Sequence, residues 1–100
     1  MADIEFNWNG EALEIRYETL TKFFKFRVSE AIYDARTTDL NLHGERIGHM
    51  RATTSSKEEN YRYINTQNKA GGSQGFTISK KDYLEIVDEM KKRGIWRNIE

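Results

Sequence analysis

A chain of 100 residues is the length of one domain, with enough material, including 12 aromatic residues, for its own core. Sixteen basic residues balance sixteen acidic ones, which argues against a strongly basic nucleic-acid binder. The absence of cysteine excludes disulfides, thiolate catalysis and any cysteine-containing zinc site.

No apolar run approaches the roughly 18 residues of a membrane span. The start, Met1-Ala2-Asp3-Ile4-Glu5, is acidic and alternating, unlike a signal peptide, so a cytoplasmic location is expected. Proline is absent, so the polar loops are stiffened only by their own contacts. The charge is unevenly spread. Residues 36–81 hold eight Lys/Arg and four Asp/Glu, while the first 30 residues hold four bases and six acids.

In chain order, residues 2–8 alternate, with Ile4, Phe6 and Trp8 on one side and Asp3, Glu5 and Asn7 on the other, as in a half-buried strand. Asn9-Gly10 follows, a strong hairpin signal. Residues 12–18 alternate again through Leu13, Ile15 and Tyr17. A two-residue turn at Asn9-Gly10 predicts the pairs Phe6–Leu13, Ile4–Ile15 and Ala2–Tyr17, with Asp3 facing Arg16 and Glu5 facing Glu14. Residues 23–28 predict a third strand, and a turn within Thr19–Lys22 pairs Tyr17 with Phe24, Ile15 with Phe26, Leu13 with Val28 and Glu14 with Arg27.

A helical reading competes. Leu13, Tyr17, Leu20, Phe24, Val28, Ala31 and Ala35 also recur at helical spacing, and residues 11–43 lack glycine. The Asn-Gly turn and the β-prone run Phe23-Phe24-Lys25-Phe26-Arg27-Val28 favour strands. Ser29 to Arg36 fits either a helical turn capped by Ser29 or a continued strand. Residues 38–51 predict a hairpin around Gly44-Glu45 with Leu42 opposite Ile47. Thr53 to Asn60 is a polar linker and Tyr61 to Thr66 a strand. Gln67 to Gly75, with three glycines and no acid, predicts a mobile loop, followed by a short strand at Phe76-Thr77-Ile78.

The last helix, over 80–93, has Ser79 as N-cap and Asp82 three residues on. Tyr83, Ile86, Val87 and Met90 make its apolar stripe, Lys91, Lys92 and Arg93 suit its C-terminal end, and Gly94 its C′ position with Ile95 folding back. The expected whole is a single α+β domain. It has an antiparallel sheet, built from an N-terminal three-strand meander plus further short strands, and a C-terminal amphipathic helix packed on it. The expected core is Ile4, Phe6, Leu13, Ile15, Tyr17, Phe24, Phe26, Val87 and Met90.

Chemistry-bearing patterns are sparse. His43, Glu45 and His49 lack the spacing of a helical zinc site, and read as two histidines beside a hairpin turn. The Ala70–Gly75 run lacks the Lys-Ser/Thr ending of a phosphate loop. Ser55, Ser56 and Asp39 form no nucleophile–base pattern, and Glu58-Glu59 sits in a polar run. No catalytic residue, metal or cofactor is therefore expected.

The strongest functional pattern is aromatic–basic interleaving. Phe23, Lys25 and Arg27 share one strand face, and Tyr61, Arg62 and Tyr63 repeat the theme, with Arg46, Arg51 and Lys69 adding charge. These nine residues form the candidate binding surface. The run Gly75-Phe76-Thr77-Ile78-Ser79-Lys80-Lys81-Asp82-Tyr83 after a strand and a Gly/Lys loop resembles the strand–loop–strand–helix end of PC4-like single-stranded DNA-binding domains. The resemblance covers about residues 60–93, and implies single-strand binding through a sheet face. It assigns no binding residue, and the strong basicity of that family is missing here. The preferred expectation is a small non-catalytic protein that binds another macromolecule, foremost a protein. The type is that of an inhibitor or regulatory subunit such as mobile genetic elements carry, with single-stranded nucleic-acid binding as the alternative.

Overall fold

The computed structural model describes residues 3–51 and 61–99. Among them the order is β1 Asp3–Trp8, β2 Leu13–Glu18, β3 Phe23–Asp34, β4 Asp39–Arg46, β5 Tyr61–Asn68, β6 Ser73–Ser79, α1 Lys80–Lys92 and β7 Trp96–Ile99. The strands form one sheet in the order β1-β2-β3-β4-β5-β6, and β7 lies beside β3. Pairing is antiparallel except at β4–β5 and β3–β7. This is an α+β fold with an N-terminal meander and the helix packed on the sheet.

Period-two alternation explains the layering. Leu13, Ile15, Tyr17, Phe24, Phe26, Val28, Leu40, Leu42, Ile64, Phe76 and Ile78 are buried with Ile86, Val87 and Met90 of α1 in one cluster. Ile4 and Phe6, expected in the core, are only partly buried against it. The sheet curls. In a flat sheet β3 and β6 would stand roughly 14 Å apart, three strand spacings. Instead the Phe24 and Phe76 rings are 4.4 Å apart, and the Lys22 ammonium donates to the Thr77 carbonyl.

The β2–β3 register matches the expectation at every pair named, Glu14–Arg27 included. The Thr19 hydroxyl accepts from the Thr21 and Lys22 amides and holds that turn. The β1–β2 register differs by two residues: Phe6 faces Ile15, Ile4 faces Tyr17 and Glu5 faces Arg16. The reason is Asn9. Its side-chain oxygen accepts from the Glu11 and Ala12 amides at 2.9 and 2.8 Å, so the turn holds four residues, not two. A shift of two keeps every side chain on its expected face, and it replaces the Glu5–Glu14 clash with Glu5–Arg16. Ala2 lies outside the described residues.

β3 is a single strand through Asp34, with the ladder shifting between Val28 and Glu30, so Ser29–Asp34 continue the strand and Ala35 and Arg36 belong to the turn that follows. Residues 39–46 are also a single strand, so the hairpin expected at Gly44-Glu45 is wrong: Leu42 faces Ala31, not Ile47. Gly44 serves a close approach instead. A Cβ there would sit 1.9 Å from the Arg27 carbonyl oxygen, beside the bulge. The expected 67–75 loop shrinks to a tight turn between β5 and β6, where Gly71 and Gly72 have φ of 114° and 89° and the Asn68 amide donates to Gly72 at 2.9 Å. The polar linker expected over residues 53–60 lies outside the described residues.

α1 follows its signals. The Ser79 hydroxyl accepts from the Asp82 amide, Gly94 has φ of 75°, and the Gly94 and Ile95 amides donate to Lys91 and Met90. That is the paired bonding of a Schellman stop. The chain turns there into β7, a strand the sequence reading did not contain, parallel to residues 31–34 of β3.

Candidate binding surface

The nine candidate residues do not form one surface. Phe23, Lys25 and Arg27 lie on the solvent side of β3, as alternation requires, but their charges are taken. Arg27 pairs with Glu45 at 3.1 Å and Glu14 at 3.8 Å, and Lys25 pairs with Glu14 at 3.5 Å. Beside them Arg16 gathers Glu18, Glu5 and Asp3 at 2.8, 3.3 and 3.7 Å. These are half-exposed pairs, each worth at most about 1 kcal/mol. Their consequence is occupancy, because the guanidinium donors already face carboxylates. Phe23 stacks on His49 at 5.0 Å and carries the Arg16 guanidinium at 5.4 Å, so its ring is covered as well.

Arg51 exchanges two backbone bonds with Phe23 and lies beside this row. Arg46 and Lys69 are exposed at the far end of β4, where the Lys69 amide donates to the Gly44 carbonyl at 2.6 Å and the Arg46 amide to the Asn68 side chain at 3.3 Å.

Tyr61, Arg62 and Tyr63 stand apart at the start of β5. Two clefts of about 500 and 510 Å³ meet at Tyr61. Tyr17 and Tyr61 line the first; Tyr33, Tyr61, Tyr63 and Tyr83 line the second. All 5 tyrosines of the chain therefore converge at one end of the fold, where β5 begins and β6 runs into α1.

In the first cleft the Tyr17 hydroxyl donates to the Asp82 carboxylate at 2.8 Å, and the Lys22 ammonium lies over the Tyr61 ring at 5.2 Å. Burial, followed by the hydrogen bond to Asp82 and its charge, pushes the Tyr17 phenol well above the usual tyrosine value. Burial lowers the Lys22 ammonium. In the second cleft the Arg62 guanidinium donates to the Tyr61 carbonyl at 3.0 Å. Arg62, a member of the expected binding surface, is half-buried there because it shares the inward parity of Ile64. The Tyr83 phenol is raised by burial and by Tyr33, with Arg62 acting in the opposite sense. Both raised phenols are protonated at neutral pH and offer hydroxyl donors or acceptors.

Tyr63 is 50% exposed and lies on Gly75, where a Cβ would meet its hydroxyl at 1.7 Å. Leu20, also exposed, lines the first cleft, and Leu84, 47% exposed, follows Tyr83 on α1. Sequence reasoning placed Tyr17 in the core and Tyr83 on the apolar stripe of the helix, and gave Tyr33 no role. Five tyrosines spread from position 17 to 83 carry no local spacing signal; curling of the sheet brings them together.

The histidines are not beside a turn. His43 lies within β4, where its carbonyl accepts from the Ser29 hydroxyl, and His49 stacks on Phe23. Ser55, Ser56, Glu58 and Glu59 lie outside the described residues. Among the described residues no group of three His, Asp or Glu stands close enough to hold a metal, and no helix is long and apolar enough to cross a membrane. Comparison with family models, with curated proteins and with solved structures finds no match to this chain.

Proposed function

We propose that this chain is a small non-catalytic binding protein, of the inhibitor or regulatory-subunit type, that takes a protein partner at its tyrosine-lined end. The observation that carries the reading is the convergence of all 5 tyrosines around two adjoining clefts, with Tyr61 shared by both and Tyr63 half exposed in the second. Tyrosine and arginine are the side chains that anchor protein interfaces: large, rigid, with one polar end. Clefts lined by such rings accept side chains from a partner, and the exposed Leu20 adds apolar area to the first.

Single-strand binding through β3 is the weaker reading. A stacking platform needs open rings and cations free to meet phosphates. Phe23 is covered by His49 and Arg16, and Lys25 and Arg27 are paired to carboxylates. The strand–turn–strand–helix run over β5, β6 and α1 supports only the local pattern of that resemblance.

The test uses a partner captured from the native source and then purified. Tyr63→Ala and Tyr61→Ala should each weaken its binding by about 30-fold or more, a loss of at least about 2 kcal/mol. Arg27→Ala should leave it within about threefold, as a screened surface pair does. Labelled single-stranded DNA should show no binding at physiological salt. Tight binding of that oligonucleotide, falling steeply with salt, would overturn the proposal.

A further inference from the structure

β1 is an edge of the sheet, and its ladder to β2 fixes which backbone groups face outward. At the turn the Asn9 amide donates to the Ala12 carbonyl at 3.3 Å. From that pair the register steps by two through Asn7–Glu14, Glu5–Arg16 and Asp3–Glu18. Hydrogen-bonded pairs alternate with non-bonded ones in an antiparallel ladder. Asp3, Glu5 and Asn7 therefore turn their amides and carbonyls to β2, and Ile4, Phe6 and Trp8 turn theirs away. Among the described residues no strand lies along that outer side. Sheet edges are ordinarily blunted by lysine, proline or a bulge. β1 has no lysine, proline or bulge, its two acids, Asp3 and Glu5, are held by Arg16 of β2, and its pairing with β2 is unbroken.

We infer that the outer edge of β1 pairs with β1 of a second copy of this chain, antiparallel about a twofold axis at Phe6, so that one sheet runs through both molecules. The register is the one at which the strand is complementary to itself. An axis at Phe6 sets Phe6 opposite Phe6 and Ile4 opposite Trp8, so every outward amide and carbonyl of these residues gains a partner. Their side chains, only partly buried against the core in one copy, meet the same apolar row in the other. Glu5 then faces Asn7 and Asp3 faces Asn9, and no acid meets an acid.

The neighbouring registers fail. An axis at Glu5 sets two Glu5 carboxylates against each other and leaves Trp8 beyond the pairing. An axis at Asn7 sets Ile4 against Gly10 in the turn. A shift of one residue puts apolar side chains opposite polar ones. This inference is independent of the tyrosine-lined end, whose clefts contain no residue of β1.

The absence of native cysteine makes the test clean. Glu5→Cys and Asn7→Cys proteins, mixed and gently oxidised, should form a mixed disulfide quickly, because these positions face each other in the register. Neither should cross-link rapidly alone. Sedimentation of the unaltered chain should show mass rising toward twice the monomer value with concentration. Phe6→Pro, which removes only an outward amide from the backbone bonding, should stay monomeric. Asn7→Lys, which sets a cation opposite Glu5 twice, should lower the dimerisation midpoint by roughly 2- to 30-fold, as two opposite-charge cross-strand pairs do. Should Phe6→Pro fail to fold, the Asn7→Lys shift and the mixed disulfide decide. A monomer mass at every concentration, or Glu5→Cys cross-linking faster alone than in the mixture, would overturn the inference.

Discussion

Gly44→Ala separates a glycine kept for space from one kept for flexibility. In an ordinary strand the substitution stabilises by about 0.4–1 kcal/mol, because alanine restricts the unfolded chain. Here the added carbon would lie 1.9 Å from the Arg27 oxygen, 2.9 Å from the Arg27 carbonyl carbon and 3.2 Å from the Ser29 nitrogen, where ordinary contact begins at 3.4 Å. The deficit at the oxygen is 3.4 − 1.9 = 1.5 Å, and all three atoms are backbone, so no side chain can swing aside. β3 and β4 must part at the bulge, straining or breaking the ladder at Arg27–Glu45, the pair there whose backbone groups face each other. Overpacking of this kind costs about 1–3 kcal/mol, a lost ladder bond adds about 0.5–1.5, and the entropy gain offsets up to about 1. The net expectation is a loss of about 0.5–4 kcal/mol, or about 4–8 °C in Tm per kcal/mol, read by urea and thermal unfolding. Gly75→Ala is the control. The three atoms nearest its added carbon all belong to the Tyr63 side chain, half exposed and able to move, and the substitution should change stability by less than about 1 kcal/mol. A Gly44→Ala protein as stable as the original, or more so, would refute the reasoning.

Three further outcomes follow from particular contacts. Ile15→Ala, at a fully buried position between Phe6 and Phe26, should cost about 2–5 kcal/mol in urea unfolding; a change below about 0.5 would mean the residue is not in the core. Asn9→Ala removes both side-chain bonds of the β1–β2 turn and should cost about 1–2 kcal/mol, whereas Asn9→Asp, which still accepts, should recover most of it. Alkaline solution should weaken the fold. The Tyr17 and Tyr83 phenols are raised in the folded state, so above pH about 10 the unfolded chain loses phenol protons that the folded chain keeps, and stability full below that pH declines above it. Urea midpoints followed upward from pH about 9 should show the decline, and Tyr17→Phe should make it shallower.

The meander was legible where side-chain pairing and turn length agreed. Tyr17–Phe24, Ile15–Phe26 and Glu14–Arg27 favour the same register, and the Thr19–Lys22 turn allows it. Asn9-Gly10 misled because Asn9 uses its side chain to close a longer turn, a choice that neighbouring residues do not reveal. Gly44-Glu45 looked like a turn because a glycine needed for close approach to Arg27 has the same one-letter appearance as one needed for a bend. β7 is too short, at 4 residues, to show a period, and owes its form to pairing with β3. The candidate surface was half legible. Tyr61, Arg62 and Tyr63 do reach the clefts. On β3 the sequence already set Glu14 opposite Arg27, but the second carboxylate, Glu45, was hidden because Gly44-Glu45 read as a turn and not as part of β4.

The central claim is that partners are taken at the tyrosine-lined end and not on the outer face of β3. Amide hydrogen exchange of the chain, free and saturated with a purified partner captured from the native source, tests it directly. The account predicts new protection at residues 19–22, 61–63 and 80–84, with 23–27 and 46–51 unchanged. Protection confined to 23–27 and 46–51, with the tyrosine end exchanging as in the free chain, would contradict it.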